Sequence, residues 1–190
     1  MSTEKSIAYF EKPGENNTEE TLKLAKRRAE ELGIRDITVA STHGGTGIKA
    51  SELFKGFNLV VVTHYTGRKE PGFQELTEEN RKVIERNGGK ILTCMHTFLG
   101  VERAIMTTFK TAYPIEIMAQ TLRLFGHGTK VAVEIAVMAA DSGMIPVDRD
   151  MISIAGRGRG ADTALVIKSA NSTRIFDLVI RETIARPRNK

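Results

Sequence analysis

The fold of this chain is decided by one stretch, Ile37-Thr38-Val39-Ala40-Ser41-Thr42-His43-Gly44-Gly45-Thr46-Gly47. Its apolar first part predicts a buried strand, and the glycine-rich turn that follows leads directly into a helix. Two further apolar stretches run into a histidine in the same way, residues 59–63 into His64 and residues 90–94 into His96. Parallel strands bring their carboxyl ends to one edge of a sheet, where open α/β sheets bind ligands. We therefore expect the functional site at that edge.

The composition excludes several classes of protein. A chain of 190 residues with 41% hydrophobic content can bury one sizeable α/β core, and we expect a single domain over residues 1–190. The 28 basic and 23 acidic residues interleave along helices, so the net charge of +5 predicts no nucleic-acid partner. The single cysteine, Cys94, excludes an internal disulfide, and no apolar run is long enough for a membrane span. We expect a soluble cytoplasmic protein, and whether it forms a homo-oligomer is left open.

Strand and helix patterns alternate along the chain. Strands are predicted at residues 7–10, 37–41, 59–63, 90–94, 151–155 and 163–168, and the tail over 175–184 slightly favours a strand. Helices are predicted over residues 18–32 with an Asn17–Glu20 capping box, over 45–54, from Thr77 to 88–89, from Pro114 to Gly126, and from Thr129 to Asp141. This alternation is typical of a three-layer α/β/α sandwich with a mostly parallel sheet.

The strongest motif is the loop Ser41-Thr42-His43-Gly44-Gly45-Thr46-Gly47. A helix that starts in such a loop presents free backbone N–H groups to an anion, and the hydroxyl groups add donors. Glycine allows the backbone to come close to a ligand. The spacing matches neither a Walker A loop nor the dinucleotide fingerprint. The motif predicts a phosphate-binding loop, and the alternative is a tight turn whose hydroxyls are incidental.

A second candidate is Gly156-Arg157-Gly158-Arg159-Gly160, which follows the strand predicted at 151–155. An arginine side chain can donate two parallel hydrogen bonds to one phosphate, and the glycines allow the loop to fold over a ligand. We take Gly156 and Arg157 as candidate ligand contacts. The alternative is a flexible hairpin connection whose arginines lie in solvent.

Three histidines at this edge, His43, His64 and His96, raise the question of a metal ion. Three imidazoles would suit a catalytic zinc, but no nearby carboxylate is evident in the sequence to orient them. We therefore expect no metal, and neutral imidazoles that bond to a ligand or a neighbouring loop. The catalytic residues stay unassigned. Four further residues of the same edge are candidate ligand contacts: Thr63, Tyr65, Thr66 and Met95.

The stretch from Val39 to Gly47 resembles the strand and phosphate loop of the pyruvate kinase C-terminal domain. The segment from Gly143 to Gly160, continued by residues 163–167, is similar to that domain's last helix, strand, glycine-rich effector loop and final antiparallel strand. The chain as a whole resembles the stand-alone proteins of this domain family, found mainly in archaea, which lack the catalytic barrel of the kinase.

This resemblance implies a core sheet order of 3-2-1-4-5 with the fifth strand antiparallel. It implies no phosphoenolpyruvate chemistry, because the residues for that reaction belong to the barrel. Members of the group are associated with flavin mononucleotide (FMN), which implies FMN as cofactor, with its phosphate at residues 41–47 and its ring near His64, Tyr65 and His96. The leading interpretation is thus a domain that binds a phosphorylated small molecule. The alternatives are a metal- or histidine-assisted phosphate-ester hydrolase and an effector-sensing regulatory module.

Overall fold

A computed structural model of the protein describes residue 2 and residues 4–189. Its strands are β1 (Ala8–Phe10), β2 (Asp36–Ala40), β3 (Asn58–Val62), β4 (Lys90–Leu92), β5 (Asp150–Ala155), β6 (Thr163–Lys168) and β7 (Val179–Pro187). Its helices are α1 (Thr18–Leu32), α2 (Gly45–Leu53), α3 (Glu78–Arg86), α4 (Val101–Phe109), α5 (Pro114–Leu124) and α6 (His127–Asp141). Short 3₁₀ turns lie at Glu15–Asn17 and Ser172–Asp177. None of the helices in this described part is long and apolar enough to cross a bilayer.

The seven strands form one sheet in the order β1-β7-β6-β5-β2-β3-β4. Strand β6 runs antiparallel to both of its neighbours, and the other pairings are parallel. With β2 counted as the first strand of the core, β4-β3-β2-β5-β6 reads 3-2-1-4-5 with the fifth strand antiparallel. The predicted core order is confirmed, and β7 and β1 extend the sheet beyond it.

Helices cover both faces of the sheet. Successive side chains of a strand point to opposite faces, and β3 shows this directly: Val61 belongs to one buried cluster, whereas Val60 and Val62 belong to the other. The first cluster includes residues of α1, α2 and α3, and the second includes residues of α5 and α6. The predicted three-layer sandwich is confirmed.

The predicted start of α1 at residue 18 is confirmed, but its predicted capping box is wrong, and so is the predicted start of α6. The 3₁₀ turn before α1 leaves Asn17 already in helical geometry, so its side chain does not cap the helix and donates to the carbonyl of Lys12 at 2.8 Å. Helix α6 begins at His127 rather than at Thr129, whose hydroxyl donates to the carbonyl of Phe125 at 3.0 Å. The predicted start of α3 is confirmed, because the Thr77 hydroxyl accepts the N–H of residue 80 at 3.2 Å.

Helix α4 was not predicted, whereas the strand favoured in the tail is present as β7. None of the residues of α4 is buried. Val101, Ile105 and Phe109 nevertheless recur at the four-residue spacing of one helix face, so the sequence carried a pattern from which this helix could have been predicted.

Glycine at position 47 is imposed by the packing of α2 on the sheet. A Cβ built there would lie 2.8 Å from Val61 Cγ1 and 2.9 Å from Ile84 Cδ1, whereas a Cβ on Gly45 would meet nothing within 4 Å. We expect Gly47→Ala to lower the free energy of unfolding by about 1–3 kcal/mol through overpacking, and Gly45→Ala to change it by less than about 0.5 kcal/mol. Urea denaturation followed by circular dichroism measures both, and equal losses would contradict this packing.

Candidate functional site

A cavity of about 1060 Å³ opens at the carboxyl edge of the sheet. Its walls come from the loops after β2, β3, β4 and β5, the first turns of α2 and α6, and the segment around the start of α1. Ligand-binding clefts typically have volumes of about 300–1,000 Å³, so a nucleotide-sized molecule has room here. The cavity therefore lies at the edge where the sequence predicts the site.

Nine of the fifteen candidate ligand contacts line this cavity: Ser41, Thr42, His43, Gly45, Thr46, Thr63, His64, His96 and Gly156. The other six lie outside its walls: Gly44, Gly47, Tyr65, Thr66, Met95 and Arg157. The loop after β2 thus contributes most of the residues that the structure brings together.

Gly44 and Gly47 allow this loop and the start of α2 to pack closely against neighbouring side chains. Gly44 has a φ of 105°, and a Cβ on it would lie 2.5 Å from Asn80 Cβ. Gly47 is buried against Val61 and Ile84. Both glycines permit close packing of the loop and of α2, which is a different role from the ligand contact that the sequence predicts.

The N-terminus of α2 presents two free donors to the cavity. The N–H of Gly47 donates to the hydroxyl of Ser41 at 2.9 Å, so Ser41 provides an acceptor for one N–H group of the first turn of α2. The N–H groups of Gly45 and Thr46 have no acceptor among the described residues, and both residues line the cavity. Unpaired N–H groups at the positive end of a helix dipole attract an anion.

The other outlying candidates have structural contacts of their own. The Tyr65 ring packs edge-on against the ring of His96, with centroids 5.5 Å apart. The hydroxyl of Thr66 accepts from the Gln74 amide at 3.2 Å. Met95 is 50% exposed and borders a smaller, separate cleft. Tyr65 can support an imidazole in the cavity wall, whereas Thr66 and Met95 do not reach that wall.

The loop over residues 156–160, called the arginine loop here, places Arg159 at the cavity, whereas the sequence predicts Arg157 as the ligand contact. Both arginines are exposed, but Arg159 lines the cavity together with its neighbouring glycines, whereas Arg157 lies outside the cavity walls. Gly160 has a φ of 73°, and a Cβ there would lie 2.4 Å from the Cα of Glu15. The loop is therefore packed against the segment before α1, although both of its arginines are exposed, as in the solvated alternative.

Positive charge predominates around the cavity. The six basic side chains in its walls are Lys49, Arg68, Arg103, Arg123, Lys130 and Arg159. Three carboxylates face them: Glu15, Glu19 and Glu134. Lys49 pairs with Glu19 at 3.0 Å, and the buried Nε of Arg68 has no hydrogen-bond partner among the described residues. This excess of cations favours an anionic ligand.

His64 is held between a carboxylate and a hydroxyl. Its Nδ1 lies 2.7 Å from Glu75 Oε2, and its Nε2 lies 3.4 Å from Thr42 Oγ1. The backbone carbonyl of His64 accepts from the Thr63 hydroxyl at 2.9 Å and from the Gln74 amide at 3.2 Å. A carboxylate at Nδ1 favours the tautomer with its proton on Nδ1, so the lone pair of Nε2 stays available as a base.

His96 lies beside a buried ion pair. Lys130 Nζ donates to Glu134 Oε2 at 2.6 Å, and these side chains are only 5% and 3% exposed. Glu134 also accepts the N–H of Phe98 at 3.0 Å, and its Oε2 lies 3.8 Å from His96 Nδ1. Burial lowers the pKa of His96 and that of Lys130, and the charge of Glu134 opposes the shift in both. The neutral form of His96 is therefore favoured.

The expectation that no carboxylate lies near the histidines is wrong. Glu75 contacts His64, and Glu134 lies beside His96. The spacing of Lys130 and Glu134, four residues apart in an otherwise apolar helix, places both on one face of α6 and could have revealed this pair. Glu75 lies in the irregular segment between β3 and α3, and no pattern in the sequence marks it.

The structure does not bring the three histidines together as one set of ligands. Among the described residues, no group of three or more His, Cys, Asp and Glu side chains is placed to hold a metal ion. His43 is exposed, with its Nδ1 3.4 Å from the carbonyl of Glu75. The rings of His64 and His96 lie 5.4 Å apart and are tilted by 59°. These imidazoles contact loops and neighbouring side chains instead.

A comparison with protein-family models matches residues 19–167 to the family described as pyruvate kinase, alpha/beta domain. The match runs from α1 into β6 and therefore includes the five core strands, the glycine-rich loop after β2 and the arginine loop after β5. Strands β1 and β7 lie outside it.

Breaking the buried ion pair should cost far more than breaking an exposed one. Glu134→Gln leaves the Lys130 cation buried without its counter-charge, and we expect a loss of about 3–5 kcal/mol in the free energy of unfolding. Glu19→Gln is the matched control, because the exposed pair of Glu19 with Lys49 should contribute little. Chemical denaturation measures both variants, and similar small losses would contradict the role of the buried pair.

The lowered pKa of His96 predicts a pH dependence of stability. Below its ordinary value of 6.5, the unfolded chain binds a proton that the folded protein accepts only at lower pH, so stability falls as pH decreases. His127 adds to this fall, since desolvation and neighbouring cations lower its pKa too. We expect His96→Gln to flatten part of the fall in thermal unfolding measured from about pH 8 to pH 5. Identical profiles for parent and variant would contradict this assignment.

Proposed function

We propose that this chain, which belongs to the pyruvate kinase alpha/beta domain family, binds a phosphorylated small molecule in the cavity at the carboxyl edge of its sheet. FMN is the leading ligand. The observation that carries the proposal is the N-terminus of α2, where Gly45 and Thr46 present N–H groups without acceptors among the described residues. The proposed function includes no reaction of phosphoenolpyruvate.

The phosphate end of the ligand would lie at the start of α2. The two N–H groups there are supplemented by the hydroxyl of Thr46 and by the guanidinium of Arg159, both in the cavity walls. The buried Nε of Arg68 is a further donor that lacks a partner among the described residues. Arginine and helix N-termini are the donors that phosphate groups usually meet in proteins, so this donor set fits a phosphate.

The remaining walls suit a flat heteroaromatic ring. They combine the imidazoles of His64 and His96 with five apolar side chains: Ala40, Val62, Leu99, Val131 and Ile135. Apolar walls with a few polar groups are typical of cofactor sites. The residues present therefore fit FMN. When bound, FMN would supply electron or hydride transfer, whereas the chain's own residues would bind the ligand, orient it and limit its access to water.

Substitutions in the α2 loop should weaken FMN binding while the domain stays folded. Thr46→Ala removes one donor, and because a hydrogen bond to a charged group contributes about 1.5–3 kcal/mol, the Kd for FMN should rise roughly tenfold or more. Gly45→Val should act in the same direction by placing a side chain in the cavity. Isothermal titration calorimetry with FMN measures both. Unchanged affinity in the two variants, or no FMN binding by the parent protein, would overturn the proposal.

The arginine loop supplies a matched pair of variants for the same titration. Arg159→Ala should raise the Kd for FMN, whereas Arg157→Ala, two residues away on the same loop but outside the cavity, should not. Riboflavin, which lacks the phosphate, should bind more weakly than FMN. Equal affinity for riboflavin and FMN would place the phosphate elsewhere.

A further inference from the structure

The cavity wall beside the start of α2 holds a chain of three side chains that ligand binding alone does not require. Thr42 Oγ1 lies 3.4 Å from His64 Nε2, and His64 Nδ1 lies 2.7 Å from Glu75 Oε2. Thr42 and His64 both line the cavity. A hydroxyl, an imidazole that faces it and a carboxylate behind the imidazole are the parts of an activated nucleophile.

The imidazole is fixed rather than free to rotate. The Glu75 side chain that orients it is only 10% exposed, and the Thr63 hydroxyl and the Gln74 amide hold the His64 backbone carbonyl. A carboxylate in this position selects the tautomer with a free Nε2 and stabilises the imidazolium that forms when Nε2 takes a proton. The contact between Thr42 and His64 is long for a hydrogen bond, and catalytic hydrogen bonds often shorten only in the complex with substrate.

Thr42 carries the hydroxyl group from which His64 can accept a proton. Ser41 is buried, and its hydroxyl accepts the N–H of Gly47. The Thr63 hydroxyl donates to the carbonyl of His64 and contacts another threonine. Thr42 is only half-buried, and it precedes the free N–H groups of α2, which can stabilise negative charge that develops on a reacting group.

We propose that Thr42 is a catalytic nucleophile for phosphate monoesters, with His64 as its general base and Glu75 as the residue that positions His64. This inference rests on the anion site of the proposed function and not on the flavin. Thr42 Oγ1 attacks phosphorus, its proton passes to His64 Nε2, the bond from phosphorus to the alcohol oxygen breaks, and His64 returns the proton to that alcohol. Water then attacks the phosphothreonine and gives its proton to His64 Nε2, the bond from phosphorus to Thr42 Oγ1 breaks, and His64 returns the proton to Oγ1, which releases phosphate and restores both residues.

Covalent labelling with diisopropyl fluorophosphate tests this assignment on the full-length protein. The oxygen of Thr42 displaces fluoride from phosphorus and its proton leaves through His64, so peptide mass spectrometry should find the added phosphoryl group on residue 42. Thr42→Val should abolish the label, and Thr42→Ser should restore it at the same position. A parent protein that takes no label, or takes it at another residue, would overturn the proposal.

The rate of labelling separates chemistry from folding. We expect His64→Gln and Glu75→Gln to slow labelling by about 100-fold or more, as for loss of a general base, with unchanged circular dichroism spectra. Thr97→Val is the control, since Thr97 does not line the cavity, and it should label at the parent rate. Unchanged rates in His64→Gln would overturn the role of the base.

Titration with FMN on the same preparations distinguishes this proposal from the previous one. Labelling of residue 42 in a parent protein that binds no FMN would support the nucleophile while the flavin assignment fails. FMN binding without any labelling would support the flavin assignment and would overturn the assignment of Thr42 as a nucleophile.

Discussion

The position of the cavity depends on two buried serine hydroxyls that fasten α6 to the sheet. Ser153 donates to the carbonyl of Ala132 at 2.7 Å and accepts from the Thr38 hydroxyl at 2.8 Å. One turn further along the helix, Ser169 donates to the carbonyl of Ala136 at 3.0 Å. A carbonyl oxygen has two lone pairs, so these bonds do not compete with those of the helix. Because the hydroxyls fix the register of α6 against the central strands, they fix which of its residues face the ligand.

That register brings a buried pair of opposite charges to the cavity wall. Lys130 and Glu134 lose their hydration, and the loss is offset by their mutual bond, by the N–H of Phe98 on Glu134 and by the Phe98 ring 5.3 Å from Lys130 Nζ. The pair adds little net charge. The positive character of the cavity therefore comes from the arginines of the surrounding loops, such as Arg159, which lie closer to solvent and can adjust to a ligand.

The residue pattern was sufficient to predict the three-layer sandwich and the loop at residues 41–47, because a buried strand followed by a glycine-rich turn has strong local constraints, whereas the core sheet order was implied by the family resemblance. The pattern was not sufficient for contacts between distant segments. The partner of His64 is Glu75, in a loop without a recognisable pattern, and the arginine that faces the cavity depends on how residues 156–160 turn. Asn17 shows the same limit locally, since a 3₁₀ turn before the helix removed its capping role. Propensity describes a residue's own segment, whereas tertiary packing decides its neighbours.

The Thr42–His64 contact follows from strand pairing. Strands β2 and β3 are parallel, with Ala40 opposite Val62, and the N–H of Ser41 still donates to the Val62 carbonyl at 2.9 Å. Two residues beyond the end of each strand, the same register sets Thr42 opposite His64. The Thr42 hydroxyl and the His64 ring lie within 3.4 Å of each other at this point. The sheet itself thus brings a hydroxyl and an imidazole together, and the loop that carries Glu75 has only to orient the ring.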